Sequence, residues 1–101
     1  MNATAINDEL DVLNNIDTDA VMNASRQSLM DMVFDGIRKG LLPDTFAMKR
    51  EVRKINKRIK EIKFAVNFAT PFEIASLCKT MAILEGRKSG YNYFIKIGEG
   101  K

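Results

Sequence analysis

Apolar residues recur along most of the chain at intervals of three and four, the spacing that lines one face of an α-helix. Ile6, Leu10 and Leu13 predict a short helix from Thr4 to about Asn14. A helix of this length frays readily, so residues 1–17 are expected to be a flexible start. Asn14-Asn15 and Asp17-Thr18-Asp19 interrupt the pattern and supply an N-cap for a second helix. Met22, Leu29, Met32, Val33 and Ile37, widened by Met30 and Phe34, predict that helix from about Asp19 to Lys39. Arg38 and Lys39 suit the negative end of its dipole, Gly40 suits a left-handed cap, and Pro43 comes after the stop.

A third helix is predicted from about Asp44 to Ala69, with Asp44 or Thr45 as its cap. Met48, Val52, Ile55, Ile59, Ile62, Val66 and Ala69 are spaced 4, 3, 4, 3, 4, 3, a heptad seam suited to packing against one or two other helices. Thr70-Pro71-Phe72-Glu73 reads as a capping box with proline at the first helical position. The fourth helix it opens is expected to run to about Glu85, with Ile74, Leu77, Cys78, Met81 and Leu84 on one face and Gly86 as its stop. Gly86-Arg87-Lys88-Ser89-Gly90 reads as a polar loop. After it, Tyr91, Tyr93, Ile95 and Ile97 alternate with Asn92, Phe94 and Lys96, a period of two that predicts an extended strand over 91–97. The predicted fold is therefore mainly α: one domain over 1–101, a small bundle of three main helices with a short N-terminal helix and a C-terminal extended β segment.

Composition narrows the functional classes. The chain has 101 residues, 46% of them apolar and 29% charged, which is an ordinary globular balance. At this length only about 60–65% of the unfolded surface is buried, so self-association would add core. No apolar run approaches a membrane span, and Met1-Asn2-Ala3-Thr4 has neither the positive start nor the apolar stretch of a secretory signal. Cys78 is the one cysteine and there is no histidine, which argues against a disulfide, a zinc site and general-base chemistry at neutral pH. Cys78 sits on an apolar stripe and is expected to be a buried structural thiol. The Gly86–Gly90 segment lacks Walker spacing, and the N-terminal aspartates lack calcium-loop spacing. The expectation is a non-enzyme with no cofactor and no metal, in a reducing cytoplasm. Its small size and accessory character resemble those of proteins encoded by phages and mobile elements, with no motif behind the likeness.

Charge is unevenly distributed. Residues 1–36 hold seven acids and one base; residues 37–101 hold fifteen bases and six acids. Such asymmetry points either to an anionic partner for the second part or to the acidic segment folding back on it. Arg50, Arg53, Lys54, Lys57 and Lys60 cluster opposite the heptad seam, flanked by Lys49, Arg58 and Lys63. They are candidates for nucleic-acid or anion binding, with Arg87 and Lys88 joining them from the glycine segment. The plainer alternative is a solvated helix face. Phe64 and Phe68 continue the same face and are expected to lie under the fourth helix or the strand; the alternative is a base-stacking platform.

Two functions fit these patterns. The first is a helical protein-interaction module, an adaptor, inhibitor or assembly factor, which self-associates through the 48–69 helix. Val52, Ile55, Ile59 and Ile62 would form the interface, and Tyr91, Tyr93 and Phe94 would pair as a strand with a second copy or a partner protein. The second is a nucleic-acid-binding regulator that uses the basic face. The discriminating feature is whether that face is open or neutralised by Asp8, Asp11, Asp17 and Asp19.

Overall fold

A computed structural model describes residues 17–100, and the helix expected at 4–14 lies outside them. The described residues are mainly helical: α1 Thr18–Arg38, α2 Thr45–Ala65 followed by a 3-10 turn Val66–Phe68, and α3 Pro71–Glu99.

The helix starts obey the sequence signals. The Asp17 carboxylate accepts from the Ala20 N–H at 2.9 Å, and the Asp44 carboxylate from the N–H groups of Phe46 at 2.9 Å and Ala47 at 3.2 Å. Half of the expected capping box forms: Thr70 Oγ1 accepts from the Glu73 N–H at 3.3 Å, while the Glu73 carboxylate accepts from the Thr70 hydroxyl at 2.9 Å rather than from the Thr70 backbone. The bonds from N–H groups occupy backbone donors that the first turn of a helix leaves without partners. At the end of α1 the expected left-handed glycine is present, with Gly40 at φ 88°. The Leu41 N–H reaches the Gly36 carbonyl and the Gly40 N–H the Ile37 carbonyl, a Schellman closure.

The C-terminal expectation is overturned. Residues 91–97 are not a strand and Gly86–Gly90 is not a loop; both belong to the 29-residue helix α3. The same residues also carry a helical period. Gly86, Gly90, Tyr91, Phe94 and Ile95 are buried, at spacings of four, one, three and one, and form one face. Tyr93 and Ile97, which the strand reading grouped with Tyr91 and Ile95, are exposed. Strand propensity depends on the surface a segment meets, and here that surface is two helices. No unpaired strand is therefore left among the described residues to recruit a partner edge.

α3 is the spine. α1 packs along it in parallel, with Met22 at Gly86, Leu29 at Gly90 and Phe34 at Phe94. α2 packs along it antiparallel, with Thr45 at Gly98 and Lys49 at Glu99. Both helices contact α3, but their backbones do not approach each other. The core is the strip between them: Leu29 from α1, Met48, Ile55 and Ile59 from α2, and Tyr91, Phe94 and Ile95 from α3. Open clefts remain at the two ends, where α1 and α2 both reach α3.

Candidate functional site: the basic face of α2

The seam of α2 is occupied within the fold. Met48, Ile55, Ile59 and Ile62 are buried, Ile62 at 1% exposure, and Val52 is half-buried. Tyr91 and Phe94 are buried in the same core, and only Tyr93 of the three aromatic interface candidates is exposed. The interface candidates thus serve first as the contact between α2 and α3. The expected face of α3 is also displaced: Ile74, Leu77, Cys78, Met81 and Leu84 are half-buried, while the fully buried small residues are Ala75, Ala82, Gly86 and Gly90. Cys78 is half-buried beside Lys63, Met81 and Glu85, rather than sealed in the core.

Burying the seam turns the opposite side of α2 outward. Arg50, Arg53, Lys54, Lys57 and Lys60 are all exposed, as are the flanking Lys49, Arg58 and Lys63. Three of these eight cations have acidic partners. Lys49 pairs with Glu99 at the end of α3, Lys54 lies 3.4 Å from Glu51, and Arg58 lies 3.4 Å from Glu61. The last two are exposed pairs within one helix, worth about 0.3–0.5 kcal/mol each and readily exchanged for another anion. Arg50, Arg53, Lys57, Lys60 and Lys63 form no ion pair with any described residue. Of the four aspartates that would neutralise this face, Asp17 caps α1 and neither it nor Asp19 pairs with the basic residues. Asp8 and Asp11 lie outside the described residues.

Arg87 does not join this face. Arg87 lies beside Val21, Ser25 and Ser28 of α1, where it donates to the Tyr91 hydroxyl at 3.3 Å, its guanidinium 5.9 Å from that ring's centroid. Lys88, the next residue of α3, is half-buried.

Phe64 and Phe68 are not covered, contrary to expectation. They are 67% and 76% exposed. The cause is local. The helix tightens to 3-10 at Val66, and Ala69 and Thr70 are extended before α3 begins at Pro71. The first turns of α3 then pass beside the two rings, with Glu73, Ser76 and Leu77 across an open cleft, and do not cover them.

A second exposed surface had no forecast. Leu41 and Leu42 in the α1–α2 connection and Phe46 in the first turn of α2 are 66%, 88% and 74% exposed. Of the three, Leu42 lines a cleft of about 390 Å³ together with Phe34, Ile37, Pro43, Phe94 and Ile97. The available signal was two leucines between a helix-stopping Gly40 and Pro43, outside any helical period. Among the described residues no helix is long and apolar enough to cross a membrane, and no three His, Cys, Asp or Glu side chains are grouped to hold a metal. Comparison of the chain with protein-family models, curated proteins and solved structures finds no match.

Proposed function

We propose that the chain is a non-enzymatic helical interaction module that associates with a second copy of itself. The observation that supports this reading is the exposure of Leu41, Leu42 and Phe46 near the α1–α2 connection, with an apolar cleft that Leu42 lines. Large apolar side chains this exposed, next to an apolar cleft, mark a surface suited to a partner. The core is a thin strip between α3 and its two neighbours, so burial at this end would add apolar contact that one copy lacks. Association through the seam of α2 would first require α2 to leave α3, whereas the exposed end carries no such cost. Light scattering across micromolar concentrations should give a mass above that of one chain. Replacing Leu42 and Phe46 together with lysine should return the chain to monomer with its helicity kept. A monomer mass at every concentration would reject this reading.

A second reading is favoured by a separate observation, the five cations of α2 that have no ion-pair partner among the described residues. In it, the basic face binds the backbone of nucleic acid. Contact with three to five phosphates gives a log–log salt slope of roughly −3 to −4.5 on duplex DNA, at about −0.9 per phosphate. Replacing Arg53 and Lys57 with glutamine should flatten the slope by about two. Replacing Lys79, on α3, should change it little.

A further inference from the structure

We propose, resting on the second reading, that the ligand of the basic face is single-stranded nucleic acid, with Phe64 and Phe68 stacking its bases at the end of the phosphate track. Arg50, Lys57 and Phe64 succeed one another at intervals of seven, so each lies nearly above the last, drifting by about 20° per heptad. Arg53 and Lys60 run beside them at the same interval. The row from Arg50 to Phe64 spans fourteen residues, about 21 Å of helix. It is a strip of cations that ends in aromatic rings.

The rings are placed for a ligand rather than for the core. Their centroids are 5.3 Å apart and their planes tilted by 56°, so they touch each other and leave most of their surface open. Next to them is an open cleft of about 520 Å³ floored by Ala65, Ala69, Ser76 and Leu77, all small or uncharged side chains. That volume lies within the range of sites that hold small planar ligands. Glu73 stands at its rim, and its carboxylate accepts from the Thr70 hydroxyl at 2.9 Å at the positive end of α3, where a negative charge is balanced.

These features select between forms of nucleic acid. A duplex presents phosphates and base edges but keeps the faces of its bases stacked inside. A single strand offers phosphates and open π-faces together, and a basic groove with aromatic platforms is the arrangement that holds it. DNA and RNA share this chemistry.

The test uses the full chain with end-labelled oligo(dT), oligo(U) and a duplex, read by fluorescence anisotropy over a salt series. Both single strands should bind more tightly than the duplex, with a slope of roughly −2 to −3.5 at about −0.7 per phosphate. Phe64→Ala and Phe68→Ala should each weaken single-strand binding about 5- to 100-fold and leave the duplex affinity unchanged. Both side chains are exposed, so the melting temperature should hold. Arg53→Gln with Lys57→Gln should weaken all three ligands. If the phenylalanine variants bind single strands as well as the parent does, stacking is overturned, while salt-dependent binding alone would keep the backbone reading. No binding to any oligonucleotide at low salt removes both. Sedimentation with anionic-lipid vesicles in place of oligonucleotide binding would also overturn the proposal.

Discussion

Midway along α3, α1 crosses it at glycines while α2 meets it through large aliphatic side chains. On the α1 side, Gly86 lies so close to Met22 and Arg26 that the two backbones meet, and the Ser25 hydroxyl donates to the Ile83 carbonyl at 2.6 Å. On the α2 side, Ile55, Ile59 and Ile62 keep the backbones apart and fill the gap with methyl and methylene groups. The first contact stabilises by close approach and one exposed side-chain-to-backbone hydrogen bond, the second by apolar area removed from water. They differ in tolerance. An aliphatic seam can repack around a change of one methylene, whereas a backbone contact has no rotamer to adjust. Arg26 Nε, on the α1 side, is buried with no hydrogen-bond partner among the described residues.

The largest expected effect is on the α2 side. Ile59 is 6% exposed in the centre of the core strip. Ile59→Asp places a carboxylate there without a partner, at several kcal/mol, comparable with the whole stability of a domain this small. The variant should be unfolded at room temperature by circular dichroism. A cooperative melt at the parent temperature would mean that α2 is held by something other than its seam.

Gly86→Ala tests the α1 side. The added Cβ would collide with the Met22 carbonyl oxygen and lie 2.8 Å from Ser25 Cβ and 3.0 Å from the Arg26 backbone nitrogen. Overpacking against backbone belongs at the upper end of about 1–3 kcal/mol, and the better helix propensity of alanine returns about 1 kcal/mol. A net loss of about 2 kcal/mol should lower the melting temperature by roughly 8–16 °C. An unchanged or higher temperature would place α1 further from α3.

The same contrast explains what the sequence discloses. The α2 seam was legible because large apolar residues at 4-3 spacing have one physical use. The caps at Asp17, Asp44 and Thr70 and the stop at Gly40 were legible because each satisfies backbone groups locally. Gly86 and Gly90 were misread because a glycine that makes room for another helix looks, in one sequence, like a glycine that makes a turn. That misreading placed a loop before Tyr91, and the remaining residues then scanned as a strand. The basic face was visible as charge at helical spacing. The exposure of Phe64 and Phe68 was not, since it depends on where the chain turns after Ala65. Whether the four N-terminal aspartates meet the basic face was equally beyond the pattern, because spacing gives register on a helix and not the path of a segment.

The finest test separates the two glycines. Gly90 is one turn beyond Gly86 on the same face, and a Cβ there would meet Leu29 Cδ2 at 2.8 Å and no backbone atom at that range. The obstruction is the far end of a side chain that has other rotamers, although Leu29 is packed at 2% exposure. Shifting it forfeits part of its contact, a fraction of the roughly 1–3 kcal/mol of overpacking. Alanine in mid-helix regains about 1 kcal/mol over glycine. The two nearly cancel, so Gly90→Ala should stay within about 1 kcal/mol of the parent in chemical denaturation, with an unchanged m-value because the folded surface is the same. A loss equal to that of Gly86→Ala would mean that Leu29 is as immovable as backbone. The α1 contact would then be rigid over two turns rather than at the single crossing point of Gly86.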